Sequence, residues 1–114
     1  MVRKATVKDT NAIGALLNEY DRHEHSLDKT QKVESAAKYK KYAEKFIKGN
    51  KKIILVAEEK GKIIGFLDAK ILKQKKENVG SIRNLFVKSG YRSGGCGSKL
   101  IAEALKWFKK NKVK

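Results

Sequence analysis

The first half of the chain carries two patterns that are typical of amphipathic helices. In both, apolar residues recur three or four positions apart, as expected for one buried helix face. We predict a first helix that is capped by Asp9 or Thr10 and buries apolar residues as far as Tyr20, and a second helix over residues 33–48. The polar residues 21–30 between them are interpreted as a loop.

Shorter apolar runs indicate strands at the beginning of the chain and throughout its second half. Each run is rich in Ile, Leu, Val or Phe and is bounded by polar or glycine-containing segments, which is typical of buried strands. A hairpin turn at residues 59–62 separates the second run from the third, and a charged loop at residues 73–78 separates the third from the fourth. The predicted strands are residues 2–7, 52–59, 63–72 and 81–87.

The segment that leads from the last strand into the last helix carries the strongest functional pattern. Four glycines lie within the eight positions from Gly90 to Gly97, and a helix is predicted from Ser98. A glycine-rich turn that opens a helix can bind a phosphate group, because backbone N–H groups converge there and the helix dipole adds partial positive charge. Arg92 adds a full positive charge beside the turn. The apolar face predicted for the helix consists of Leu100, Ile101, Ala104, Leu105 and Phe108.

Two common phosphate-binding motifs do not fit this turn. The Walker motif requires Lys and then Ser or Thr after its last glycine, whereas Cys96 follows Gly95. The dinucleotide-binding motif requires a third glycine where Leu100 stands. The run Arg92-Ser93-Gly94-Gly95-Cys96-Gly97 instead resembles the R-x-x-G-x-G signature of the GNAT N-acetyltransferase superfamily, and Leu85-Phe86-Val87 with Tyr91 resembles the segment that precedes that signature. An ordinary tight turn between strand and helix is the alternative interpretation.

The resemblance implies the fold. It predicts an α/β (α+β) protein, with a mixed, mostly antiparallel sheet flanked by helices in the order β-α-α-β-β-β-α. Residues 1–114 would then form a single N-acetyltransferase-like domain that lacks the usual C-terminal β-α-β-β part of the family. This interpretation leaves open three explanations for the missing part: the chain has been shortened, it is a natural fragment, or another chain completes the fold.

The resemblance also implies a function, namely transfer of an acetyl group from acetyl-CoA to a primary amine of a small molecule or a protein, without a metal ion. A bulge near Asn84 or Leu85 would leave strand backbone groups available to the acetyl and pantetheine portion, and the turn would hold the pyrophosphate through its backbone N–H groups. Cys96 is interpreted as a small apolar residue beneath that turn rather than as a reactive thiol. The expected cofactor-binding residues are Leu85, Phe86, Val87, Arg92, Ser93, Gly94, Gly95, Cys96, Gly97 and Ser98.

The resemblance does not identify the catalytic residues. Many family members carry a Glu on the fourth strand as proton acceptor, and Arg83 aligns with that position. Arginine stays protonated, so it cannot serve as a general base. A tyrosine that protonates the leaving thiolate usually comes from the part of the fold that follows the last residue here.

The residues that follow the first helical pattern reverse the sign of the local charge. Residues 19–28 hold four acids against one arginine, so Glu19, Asp21 and Glu24 are candidates for attracting a cationic acceptor. A solvated segment whose acids balance nearby lysines is the alternative. His23 and His25 could ligate a metal with a neighbouring acid, but no third ligand stands at a recognised spacing, so no metal site is predicted.

The charge balance allows a second interpretation of function. The chain contains 28 Lys plus Arg against 12 Asp plus Glu, a formal net charge of +16. The alternative to an enzyme is a catalytically incomplete, basic binding module for CoA, nucleic acid or a protein partner; the scatter of the lysines favours a solubilising surface over a nucleic-acid patch. A single cysteine, no predicted signal peptide and no long apolar run indicate the cytoplasm and no membrane contact. An unpaired edge of the fourth strand would favour a homodimer.

Overall fold

The elements follow one another in the predicted order. The computed structural model of the protein describes residues 1–27, 36–91 and 94–113. The described residues form one antiparallel sheet and three α-helices, which match the predicted fold class. The strands are β1 (Val2–Lys4), β2 (Lys52–Glu59), β3 (Lys62–Gln74) and β4 (Glu77–Val87), and the helices are α1 (Thr10–Leu27), α2 (Ala36–Lys48) and α3 (Cys96–Lys110).

The sheet has the order β1-β2-β3-β4, so that β4 lies at one edge. The register between β3 and β4 changes at one point: Asp68 pairs with Asn84, whereas Ala69 pairs with Ile82. Arg83 is therefore the extra residue of a β-bulge, which bends the strand locally. The sequence predicted a bulge near Asn84 or Leu85, and the bulge residue is the one directly before Asn84.

Helices cover both faces of the sheet. Helices α1 and α2 pack on the face that carries Ile54, Phe66 and Phe86, and α3 packs on the face that carries Leu55 and Leu67. Side chains alternate between the two faces along each strand, and both faces here are apolar, which explains the unbroken apolar run from Ile53 to Ala57 in β2.

Helix α3 lies close to the outer half of β4. A Cβ atom at Gly80 would approach the ring of Phe108 to 2.8 Å, closer than real side chains come. Glycine at this position therefore permits the close packing of α3 on the sheet.

The chain turns sharply after β1, which begins at Val2 as predicted but ends at Lys4 rather than at Val7. Asp9 accepts a hydrogen bond from the Thr6 N–H at 2.8 Å, and residues Val7–Asp9 form a 3₁₀ turn that leads into α1. Arg3 binds the Asp9 carboxylate through two nitrogens and Glu58 through a third. The hydrogen bonds from Arg3 lower the pKa of Asp9 to about 2.

Two segments that were predicted as loops are regular structure. Residues 21–27 continue α1, because they contain no glycine or proline and include good helix formers such as Glu and Arg. Residues 73–78 form the end of the β3–β4 hairpin, in which Gln74 pairs with Glu77 across a two-residue turn. Residues 73–77 are exposed to solvent, which accounts for their polar character. The predicted start of α2, residues 33–35, lies outside the described residues.

Helix α3 begins at Cys96 rather than at Ser98, and its predicted apolar face is only half covered. Leu100, Ala104 and Phe108 are buried against the sheet, whereas Ile101 and Leu105 are exposed, Leu105 by 57%. No strand among the described residues pairs with the outer edge of β4. Ile82, also exposed, pairs with Ala69 and so lies on the α3 side of that edge.

We expect the open edge of β4 and the exposed apolar residues near it to promote self-association. The double variant Ile82→Lys with Leu105→Lys should shift sedimentation velocity profiles of the 114-residue chain toward the monomer, because both changes add charge to apolar surface. Ala102→Lys, at an exposed position of the same helix, controls for the added charge. If wild type, double variant and control are all monomeric, the edge does not recruit a second chain.

Candidate active site

The glycine-rich turn combines an unusual backbone with open space. Gly90 and Gly95 have φ angles of 93° and 75°, and Gly95 is the N-cap of α3; glycine adopts this left-handed region without steric cost. A Cβ atom at Gly94, Gly95 or Gly97 would meet no atom within 4 Å. The backbone is therefore accessible from solvent at the end of α3 where N–H groups have no partner inside the helix.

Of the other residues of the turn, Cys96 is described by the structure. Arg92 and Ser93, two of the expected phosphate-binding residues, lie outside the described residues. Cys96 is partly buried and packs against the cluster between α3 and the sheet. Burial raises the pKa of the Cys96 thiol, which disfavours the reactive thiolate and supports its interpretation as a small apolar residue.

The strand that leads into this turn exposes part of its backbone. The Lys88 N–H donates to the carbonyl oxygen of Ile64 at 2.7 Å, and Phe86 lies opposite Phe66 in the same ladder. Successive residues of an antiparallel strand point their backbone groups to opposite sides. The N–H and C=O of Leu85 therefore point away from β3, toward the open edge.

A cavity of about 400 Å³ lies beside the bulge, on the face of the sheet that α1 and α2 cover. All three elements contribute: α1 and α2 supply apolar, aromatic and charged side chains, and β4 supplies the bulge residue and the residue after it. The lining residues are Leu17, Asp21, Lys38, Tyr39, Tyr42, Arg83 and Asn84.

A buried carboxylate lies behind this cavity. Asp68 of β3 has 0% of its surface exposed. The Asn84 side-chain amide donates to both of its oxygens, at 3.0 and 3.2 Å, and the Tyr42 hydroxyl donates to Oδ2 at 3.1 Å. Asn84 also lies 3.4 Å from the Tyr42 oxygen, so that three side chains from β3, β4 and α2 form one network.

Burial and hydrogen bonding act on Asp68 in opposite directions. Desolvation disfavours the charged carboxylate and dominates, so the pKa of Asp68 is raised, although the donors from Asn84 and Tyr42 favour the ionised form. Burial and the adjacent Asp68 charge also raise the pKa of the Tyr42 hydroxyl. Tyr42 therefore remains a neutral phenol whose hydrogen points to a carboxylate of increased basicity.

The structure separates the acidic residues that were predicted to act together. Asp21 lines the cavity beside the bulge and accepts a hydrogen bond from the Tyr39 hydroxyl. Glu19 lines a different cavity, of about 800 Å³, because residues two positions apart point to different sides of a helix. The side chains of His23, Glu24 and His25 lie outside those described, as does residue 28. Among the described residues, no group of three potential metal ligands comes together.

Sequence reasoning missed the Asp68 network. A signal was present, since Asp68 is the single charged residue within the run from Ile63 to Ala69, and charged residues are almost never fully buried unless they are paired. Its partners could not be found, because Tyr42 and Asn84 are 26 and 16 positions away. Tyr42 is partly buried on α2, and its ring packs beside that of Phe46.

Known proteins resemble this chain in sequence pattern and in fold. Residues 15–114 match the sequence model of the Acetyltransferase (GNAT) family. No curated protein matches the sequence. An acetyltransferase from Vibrio fischeri has a similar structure, with a TM-score of 0.82 and 20% identity over 100% of this chain and 90% of that chain.

Two further similar structures are aminoglycoside acetyltransferases. One, the 6'-N-acetyltransferase from Acinetobacter haemolyticus, has a TM-score of 0.79 and 18% identity over 100% of this chain and 74% of that chain. The other, from an uncultured soil metagenomic sample and in complex with sisomicin, has a TM-score of 0.71 and 17% identity over 100% and 72% of the two chains. At these identities the likeness establishes the fold. None of the described helices is long and apolar enough to cross a membrane.

The raised pKa of Asp68 predicts a pH-dependent effect of Asp68→Asn on stability. An unfolded Asp titrates near pH 3.9, and the folded group titrates above that value, so wild-type stability falls as pH rises from about 4 through the folded pKa. The variant lacks this titration. Its melting temperature minus that of wild type should therefore rise over the same interval, measured by thermal unfolding in a pH series. A constant difference would show that Asp68 titrates alike in both states.

Proposed function

This chain belongs to the GNAT acetyltransferase family, and we propose that it transfers an acetyl group from acetyl-CoA to a primary amine. One observation carries the proposal: the bulged, open edge of β4 leads directly into the glycine-rich turn at the beginning of α3. An extended ligand with a pyrophosphate at one end and a thioester at the other fits a site with backbone donors at the turn and along the strand.

The donor site is proposed along β4 and the turn. Backbone N–H groups from Arg92 through Ser98 would hold the pyrophosphate, helped by the partial positive charge of the α3 N-terminus. The space beside Gly95 and Gly97 fits this role, because side chains there would occupy the path by which an anion approaches the backbone. The backbone groups of Leu85 and Val87, which point toward the open edge, would meet the pantetheine and acetyl portion, whereas those of Phe86 point toward β3.

The acceptor site is proposed in the cavity beside the bulge. Tyr39 and Tyr42 supply its walls, and Asp21 supplies a carboxylate that would attract a cationic amine. Two of the similar structures are aminoglycoside acetyltransferases, so a polycationic amine is one acceptor class to test. Glu19 faces another cavity, and the proposal therefore gives it no part in acceptor binding.

When bound, acetyl-CoA would supply an activated thioester, and the residues of this chain would orient it and the amine. Extended backbone and a helix N-terminus provide the orientation, so no metal ion is proposed. We further propose a cytoplasmic location, supported by the single cysteine in the sequence, and a homodimer, supported by the open edge of β4.

The proposal predicts release of CoA when the protein is mixed with acetyl-CoA and a primary amine. A thiol-release assay with spermidine, sisomicin and a lysine-containing peptide tests it. Gly95→Val should weaken CoA binding at least about tenfold by calorimetry, equivalent to about 1.4 kcal/mol, because its side chain blocks approach to the backbone. Gly61→Val is the matched control for backbone strain, since Gly61 has a φ of 77° in the β2–β3 hairpin turn. CoA binding without CoA release for any amine would favour the binding module instead.

Asp21→Asn should raise the apparent KM for spermidine by about two- to tenfold and leave that for acetyl-CoA unchanged, because it removes one negative charge from the acceptor cavity only. Glu77→Gln, at the exposed end of the β3–β4 hairpin, makes the same change in net charge far from the cavity. Equal KM changes for both substrates, or equal effects of the two variants, would contradict an acceptor role for Asp21.

A further inference from the structure

The residue that the β-bulge presents to the acceptor cavity is Arg83, which is not a general base. A protonated amine has no lone pair with which to attack a thioester, so its proton must leave first. Arg83, the bulge residue, stays protonated and cannot accept that proton. The other ionisable groups that line the cavity are Asp21, Lys38, Tyr39 and Tyr42.

We propose that Tyr42 accepts the proton of the acceptor amine while its own hydroxyl proton passes to Asp68. This inference rests on the proposed function. Tyr42 is the catalytic residue in this proposal, because it lines the cavity. Asp68 is fully buried behind it and acts only through the hydrogen bond of 3.1 Å from the Tyr42 hydroxyl to Oδ2.

The hydrogen bonds of the network are oriented for proton transfer from Tyr42 to Asp68. Every side-chain hydrogen bond to Asp68 is donated to it, by Tyr42 from α2 and by Asn84 from β4, which is the arrangement that a carboxylate requires. The Tyr42 oxygen retains lone pairs for an incoming proton. Asn84 fixes the geometry, because its amide holds both carboxylate oxygens and also reaches the Tyr42 oxygen.

The groups that surround Asp68 determine how readily it accepts a proton. On β3 itself its flanking residues are Leu67 and Ala69, and Ile54 of β2 lies opposite it. Tyr42 faces it from α2, and the Arg83 charge acts on it from β4 and favours the carboxylate. Asp21 of α1 lies across the same cavity. Burial dominates and raises the pKa of Asp68, so a proton that reaches this carboxylate is held more strongly than on an exposed Asp.

The step balances in protons and charge. The N–H bond of the ammonium breaks and an O–H bond forms at Tyr42, while the original Tyr42 O–H breaks and a new O–H forms at Asp68 Oδ2. The products are a neutral amine, a neutral phenol and a neutral carboxylic acid. Because the pKa of Tyr42 is also raised, the two transfers occur together rather than through a free tyrosinate. Arg83 acts on both ends of the transfer, since its positive charge disfavours the ammonium form of the acceptor and, at Asp68, favours the carboxylate.

The second tyrosine of the cavity provides the matched control. Tyr39 donates a hydrogen bond to Asp21 and so forms a second tyrosine–aspartate pair, but that pair joins α2 to α1. The Tyr42 pair joins α2 to the bulged strand, through Asn84, the residue immediately before Leu85. Proton acceptance is therefore expected beside the exposed backbone of β4, at Tyr42.

The test compares kcat/KM as a function of pH for wild type, Tyr42→Phe, Asp68→Asn and Tyr39→Phe, with the most reactive amine of the panel of spermidine, sisomicin and a lysine-containing peptide. In wild type, kcat/KM should rise with pH as Asp68 ionises. Tyr42→Phe and Asp68→Asn should each lower it by about 100-fold and remove this limb of the profile. Tyr39→Phe should retain the limb whatever its effect on KM.

A carbon-13 NMR titration of labelled aspartate supplies a readout that needs no turnover. The Asp68 carboxyl of wild type should titrate at the pH of the kinetic limb, and this resonance is assigned as the one missing from Asp68→Asn or, if that variant does not fold, from Asp68→Glu. Titration elsewhere, retention of the limb by Tyr42→Phe, or its loss in Tyr39→Phe would each overturn the proposal. An active wild type with any of these results leaves the proposed function intact, whereas a wild type that releases no CoA overturns both.

Discussion

A carboxylate in the middle of β3 connects the two halves of the proposed site. Asp68 stands where the register between β3 and β4 changes, and the side chain of Asn84, directly after the bulge residue, binds it with both carboxylate oxygens engaged. A buried charge is costly unless its hydrogen bonds are made, so Asp68 constrains Asn84 to one orientation. That constraint fixes where β4 bends and, with it, the direction of the Leu85 backbone.

The partial charge at the glycine-rich turn comes from the backbone, whereas the charge in the cavity comes from side chains. At the turn, the α3 N-terminus provides partial positive charge, and the glycines leave the backbone open to solvent. In the cavity, side chains of both signs lie together, with Asp21 on one wall and Arg83 on another. The large excess of positive charge over the whole chain therefore does not describe this cavity, where the Asp21 carboxylate lies among Lys38 and Arg83.

The periodicity of apolar residues predicted the elements well where neighbouring residues alone determine the local structure. The β2–β3 hairpin was predicted from an apolar run on each side of Lys60-Gly61, and both residues adopt the positive φ that such a turn requires. Prediction failed where mainly polar residues form regular structure, as in residues 21–27 and 73–78. It failed also where a distant side chain decides the outcome: Asp9 ends β1 early, and Asp68 finds its partners on two other elements. The glycine-rich turn could be located from sequence because close backbone approach requires a residue without a side chain, whatever the surrounding fold.

The order of the strands in the sheet also bears on how the molecule assembles. Strands β2, β3 and β4 are neighbours both in sequence and in space, whereas Val2 of β1 must find Ala57 across both helices. Contacts between residues close in sequence form faster, because less chain entropy is lost in closing the loop. We expect the meander to form first and β1 to join it late. The bulge and the glycine-rich turn would then belong to an early folding unit, and the wall that α1 and α2 contribute to the cavity would be added to a strand already bent to receive it.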